Sequence, residues 1–329
     1  MALLLDSDDA PSARWRPLAR WAAWAAAAAA LLAFPLAAGG FLTHTATLVL
    51  LTVIGAAGFH LILRVGLVSL GHAAFAGIGG YTSVILMMTF GLPWIVCFVA
   101  GGVSAAALAL LVGPIVLRLK GVYFVLITFT FGEILRLIFN DWQSMTGGAN
   151  GISHIPPPWP ALMDTRAYYY LALFAAGAAI LFCARLLASD FGRKMDAIRE
   201  SESLAEANGI PVFAVKVIVF AIGCTLAGLQ GSLQAHFIRL ISPLAYSFQE
   251  SLNFLVMNVV GGSNSLVGPI VGTVFLVALP EFLRGWVEYQ FIIYGVILVV
   301  VMAALPGGLV ELWQRACRWI TSLSTRSGR

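Results

Sequence analysis

Long apolar runs alternate with short polar breaks along nearly the whole chain. Continuous hydrophobic stretches fall at about 18–38, 42–62, 66–88, 93–113, 121–140, 167–187, 212–235, 248–262, 266–283 and 288–306, most of them near the roughly 20 residues a helix needs to cross a bilayer. Backbone groups left unpaired in lipid cost several kcal/mol each, so such spans must be helices. A membrane β-barrel would show alternating segments of about ten residues, which these continuous runs exclude. The pattern predicts an all-α, polytopic membrane protein with about ten spans. Residues 1–20 form an N-terminal cytoplasmic segment, 21–310 the membrane domain and 311–329 a cytoplasmic tail. The run from Trp21 is long for a signal-peptide core and reads as a retained first helix.

Basic residues fix the sidedness. Placing Arg14, Arg16 and Arg20 in the cytoplasm puts Arg64, Arg118, Lys120 and the tail arginines on that side and 141–166 outside, as the positive-inside bias requires. Reading 248–283 as one bent crossing would throw the Arg-rich tail outside, so two elements are expected there. The external stretch 141–166 holds a glycine-rich run, Thr146–Gly151, then Pro156, Pro157, Pro158 and Pro160. Prolines remove donors and fix φ, so a stiff surface loop is expected.

One internal segment is too polar to cross lipid. Residues 188–211 carry Asp190, Arg193, Lys194, Asp196, Arg199, Glu200, Glu202 and Glu206. Within it Phe191, Met195 and Ile198 fall at i, i+4 and i+7, with charges on the other faces. This predicts a short amphipathic helix on the cytoplasmic surface, whose apolar face suits a docking partner; an ordinary loop that fixes topology is the alternative.

Small residues crowd the third span: Gly66, Ser69, Gly71, Ala73, Ala74, Gly77, Gly79 and Gly80. The same texture returns from Gly261 to Gly272. Small residues let membrane helices approach closely, and paired Gly/Pro-broken segments can also mark a substrate path. Gly71, Phe75 and Gly79 lie one turn apart on one face, with His72 beside them, so these four residues are candidates for either role. Glu133 and Arg136, spaced i, i+3, are the main charged pair inside a span, and a charge at that depth is functional by default.

Composition agrees and excludes other classes. Mean hydropathy is +0.93, with 60% hydrophobic and 10% charged residues. The net charge of +4 is too small to argue for nucleic acid; membrane lipid is the expected surrounding. Cys97, Cys183, Cys224 and Cys317 are scattered, with no CxxC or metal-ligand spacing. His44, His60, His72, His154 and His236 are isolated too. No phosphate loop, HExxH or GxSxG occurs, so neither a cofactor nor enzyme chemistry is expected.

Several short motifs occur along the chain: Gly66–Tyr81 (GLVSLGHAAFAGIGGY), Arg118–Phe124 (RLKGVYF), Phe131–Arg136 (FGEILR), Thr146–Gly151 (TGGANG), the charged segment Ser189–Glu200 leading to Gly209 and Ile210, Gly261–Gly272 (GGSNSLVGPIVG), and Leu305–Leu309 (LPGGL). In this order they resemble the motifs of LivM-type permease subunits of bacterial branched-chain amino acid ABC transporters. They cover roughly residues 45–310. The resemblance implies an importer's membrane subunit in the bacterial inner membrane, forming half of the solute path. Its implied partners are a LivH-like second permease, two ATP-binding cassette subunits and a periplasmic solute-binding protein. It also implies that Phe191, Gly192, Arg193, Met195, Ile198, Arg199 and Glu200 belong to a coupling segment for the ATPase. Implied substrates are branched-chain amino acids, with urea or short amides as the alternative. One departure stands out: where such permeases commonly end a run with Gly-Tyr-(Ala/Thr)-Gly, this chain reads Phe59–Gly66 (FHLILRVG), with Leu63 and Arg64 at the changed positions.

Other classes fit less well. A secondary transporter would need coupling-ion ligands, and the spans are nearly devoid of acids. A membrane enzyme would need paired catalytic groups. A receptor or scaffold would not need glycine-broken spans in both halves.

Overall fold

The computed structural model describes residues 29–282 and the short pieces 292–293, 295–296, 299 and 308–310. The expected segments 1–20 and 311–329, much of the first span and most of the span at 288–306 lie outside the described residues. The helices are α1 (29–37), α2 (Gly40–Arg64), α3 (His72–Phe90), α4 (Trp94–Val116), α5 (Val122–Asp141), a one-turn α6 (Gln143–Thr146) and α7 (Thr165–Ala188). There follow α8 (Asp190–Glu200), α9 (Glu202–Ala207), α10 (Val212–Ile238), α11 (Phe248–Gly261) and α12 (Val267–Phe282).

Six of these, α2, α3, α4, α5, α7 and α10, are long and apolar enough to cross a membrane. The exterior supports that reading. Phe174 of α7 is 76% exposed, and Leu111 and Ile115 of α4 are also exposed, on faces that water would require to be polar. α2 and α10 are the most enclosed spans and form the centre, with α3 and α4 packed on α10 and α7 on α2. The interior contacts are made by small residues. A Cβ on Gly79 of α3 would overlap the backbone of Gly228 in α10, and one on Gly101 of α4 would lie 2.6 Å from the Gly79 carbonyl oxygen. Three helices thus meet backbone to backbone, the contact that membrane helices use in place of a hydrophobic driving force.

One span starts later than the sequence predicts, and two others keep their expected bounds but are short. The run 66–88 is not one helix: α2 ends at Arg64, Gly66 adopts φ 78°, and α3 starts only at His72. His72 sits beside Gly55, nine residues above Arg64 on α2, or about 14 Å along that helix. Residues 65–71 therefore climb back into the bundle without helical bonds. They can do so because other elements pair with their backbone and with the start of α3: Leu70 N–H donates to Thr128 Oγ1 (3.1 Å), and Ala73 N–H, in the first turn of α3, donates to Ser251 Oγ (3.0 Å). Irregular backbone at membrane depth is tolerated when it is buried in protein.

The stretches at 248–262 and 266–283 are two helices of 14 and 16 residues, each shorter than a full crossing. They form an antiparallel hairpin, with Gly261 against Gly268 and Met257 against Gly272, and Gly308 packs on its turn at Gly262.

The stretch 141–166 is more ordered than a plain surface loop. It holds α6, two 3-10 turns and a strand β1 (Ile152–Ser153), which pairs antiparallel with β2 (Leu240–Ile241). Ile155 is fully buried beneath it. The Thr146 hydroxyl, on the carbonyls of Phe139 (2.6 Å) and Trp142 (2.7 Å), folds the glycine run back onto α5.

Candidate functional site

A cavity of about 600 Å3 opens between α2, α10, α11 and α12. Its lining combines polar side chains, Thr52, Gln234, Gln249, Glu250 and Asn253, with apolar ones, Leu48, Met257, Leu276, Val277 and Pro280. Its size falls within the range of small-molecule sites. Thr52 stands 12 residues from Arg64 on α2, placing the cavity about 18 Å from that end of the bundle, near mid-depth of a bilayer.

The polar part of the lining exists because α11 begins inside the bundle. Glu133 Oε1 accepts the Phe248 N–H (3.2 Å) at the helix start, and Arg136 Nε donates to Glu133 Oε2 (2.7 Å). A carboxylate at a helix N-terminus is favoured by the macrodipole, so the Glu133–Arg136 pair seats α11. Within the cavity wall, Asn253 Nδ2 donates to Glu250 Oε2 (3.0 Å), and Gln230 donates to Gln234 Oε1. Lower on α11, Asn258 Nδ2 bonds the carbonyls of Ala56 (3.2 Å) and Phe254 (2.9 Å), fixing α11 along α2.

The path candidates from the sequence lie elsewhere. Gly71 is the N-cap of α3, where a Cβ would overlap the Thr128 carbonyl. His72 is fully buried, with Nε2 3.1 Å from the Gly55 carbonyl; because that oxygen only accepts, the ring donates. Phe75 is 1% exposed and packs on Phe131 and Phe220, with centroids 5.8 and 5.5 Å away. Gly79 meets Gly228 and Gly101. All four are packing residues, His72 toward α2 and the other three toward α5, α10 and α4; Glu133 seats α11, and none of the five lines the cavity. Gln234, Gln249, Glu250 and Asn253 were missed. Glu250 was the legible one: an acid inside the apolar run 248–262.

At the basic end of the bundle the amphipathic helix is present as α8, but its apolar face points inward. Met195 is 0% and Ile198 1% exposed, Phe191 is half-buried, and a Cβ on Gly192 would overlap the Leu187 backbone. An apolar face offered to a soluble partner is therefore corrected: the end of α7 and the neighbouring helices already cover it. The outward face is charged, with Arg193, Lys194, Arg199 and Glu200 exposed and Arg193 paired to Asp190.

Ion pairs fasten this layer to the spans. Arg64 Nε lies 2.5 Å from Asp196 Oδ1, and its Nη1 donates to the Asn264 carbonyl (2.8 Å). Arg199 reaches Asn264 Oδ1 (3.1 Å). The departure at Arg64 thus ties α2 to α8 and to the α11–α12 turn. Lys216, buried on α10, pairs with Glu202, which Lys120 also approaches (3.3 Å). Burial pushes the Glu202 carboxyl up, but the bonds and charges of Lys216 and Lys120 outweigh it and hold the group below the usual carboxylate value.

The family of branched-chain amino acid transport system permease components matches residues 41–302. The chain belongs to this family. It is 32% identical over 294 residues to the high-affinity branched-chain amino acid transport system permease protein LivM of Escherichia coli K12, covering 81% of this chain and 69% of that one. The Salmonella typhimurium LivM is 31% identical over the same shares. The LivH permease of E. coli K12 is 22% identical over 268 residues, covering 75% of this chain and 86% of that protein. No solved structure matches significantly. The protein is a multi-pass membrane permease, and its relatives are named as transport permeases rather than enzymes.

Proposed function

We propose that this chain is one permease subunit of an ATP-driven importer of branched-chain amino acids in the bacterial cytoplasmic membrane. It is read as having about ten spans, with residues 1–20, 188–211 and 311–329 on the cytoplasmic side and 141–166 outside. A LivH-like second permease supplies the other half of the path, two ATP-binding cassette subunits dock below, and a periplasmic binding protein delivers solute above. The observation that carries the reading is the half-polar cavity at mid-depth, in a chain that matches the permease family over residues 41–302. Polar side chains at that depth are expensive unless they serve a pathway. Gln249 stands exposed at the cavity's edge, where a second permease would close it. The similarity to both LivM and LivH supports pairing of two related subunits.

In this reading the ATPase docks on the charged outer face of α8, through Arg193, Lys194, Arg199 and Glu200, while Phe191, Gly192, Met195 and Ile198 hold the helix to the bundle. Motion of α8 reaches the cavity through Arg64–Asp196 and Arg199–Asn264, because α2, α11 and α12 form its walls. Proteoliposomes holding the assembled importer test the reading. Leucine, isoleucine and valine are expected to enter with ATP inside and binding protein outside. Uptake without ATP, or uptake of urea or acetamide in their place, would contradict it.

A further inference from the structure

Two carboxylates stand out within the membrane part of the bundle, and they are treated oppositely. Glu133 is neutralised by Arg136 and caps α11. Glu250 faces the cavity, its bonded partner is the neutral Asn253, and no cation forms an ion pair with it among the described residues. Among the described residues its charge is offset only by Asn253 and by the N-terminal dipole of α11, in whose first turn it stands, so a cation that enters the cavity is drawn to it. The surroundings narrow what that is. Gln234 Oε1 is taken by Gln230, leaving its amide N–H groups as donors, and Gln249 offers another amide. Met257, on the same helix as Glu250, and Leu276 and Val277 of α12 supply an apolar wall.

Resting on the permease reading above, we infer that Glu250 recognises the solute's ammonium group as it crosses. The amides of Gln234 and Gln249 take the solute carboxylate, and the aliphatic wall takes a branched apolar side chain. The site is thus built for a zwitterionic amino acid. Urea or a short amide offers Glu250 only neutral N–H donors, as Asn253 already does, and no cation, so it leaves the charge uncompensated and is disfavoured.

The test uses the assembled importer in proteoliposomes. Glu250→Gln is expected to lower leucine uptake at least tenfold while subunit co-purification and binding-protein-stimulated ATP hydrolysis persist. Glu250→Asp, which keeps the charge, is expected to retain a third or more of wild-type uptake. Uptake by Glu250→Gln within twofold of wild type would overturn the inference, as would equal losses in the two variants. Thiol labelling decides the matter should Glu250→Gln fail to assemble. With Asn253→Cys in a cysteine-free chain, an ethylammonium thiosulfonate is expected to react at least tenfold faster than a sulfonatoethyl one, relative to their rates on a free thiol, and leucine to slow the reaction. Equal or reversed preference would overturn the assignment. A wild-type importer that moves no branched-chain amino acid would instead refute the permease reading, so the two failures are distinguishable.

Discussion

Gly79 and Phe75 show how one residue pattern serves two readings until its neighbours are known. The i, i+4 spacing of Gly71, Phe75 and Gly79 placed them on one face, and the structure gives that face to helix packing. What presses on Gly79 is backbone, from Gly228 and Gly101, which cannot rotate away. Gly79→Leu is expected to prevent α3 from docking on α10, and the subunit should no longer co-purify with its partners. Phe75→Ala removes a buried ring from between Phe131 and Phe220, at a cost of about 3 kcal/mol by analogy with core truncations. The expected result is a lower melting temperature in detergent with uptake per assembled complex unchanged; a changed affinity for solute in a complex of wild-type stability would return Phe75 to the path. Glu250 was readable as an acid in an apolar run. Its place in a cavity shared with Thr52 and Leu276 was not, because that depends on how the α11–α12 hairpin meets α2.

At the scale of elements, α8 was legible in its period and not in its direction. Phe191, Met195 and Ile198 repeat as a helix face, but whether the face meets a partner or its own chain depends on partners far away in sequence. Asp196 pairs with Arg64, 132 residues earlier. Met195→Asp and Ile198→Asp are now expected to destabilise the subunit, since each buries an unpaired charge. The pair Arg193→Glu with Lys194→Glu should leave the fold intact and uncouple the importer: co-purification of the ATPase or solute-stimulated hydrolysis should fall at least fivefold, with normal membrane levels. Full coupling in that double variant would remove α8's outer face from the ATPase interface. α3 starts six residues after its apolar run does, for a related reason, whereas α11 keeps its expected bounds. Both helices begin inside the bundle, where early N–H groups are satisfied by Ser251 and Glu133, and hydropathy alone gives the start of α3 no mark.

For the whole molecule, the hydrophobic runs located the six long spans, because lipid leaves the backbone few alternatives to helix. What they could not give is the interior. The centre formed by α2 and α10, the re-entry at 65–71 and the cavity all arise from small residues and polar side chains whose partners lie on other helices. The central claim of this account is that solute passes along the cavity walled by α2, α10, α11 and α12, and not along the glycine face of α3. Asn253→Leu tests it most directly, since leucine has the branching and heavy-atom count of asparagine, keeps the helix, and removes one polar group from the cavity wall. The measurement is ATP-dependent leucine uptake by the reconstituted importer carrying that substitution. The account predicts an assembled complex with binding-protein-stimulated ATP hydrolysis and at least a tenfold loss of uptake; uptake at the wild-type rate would contradict it.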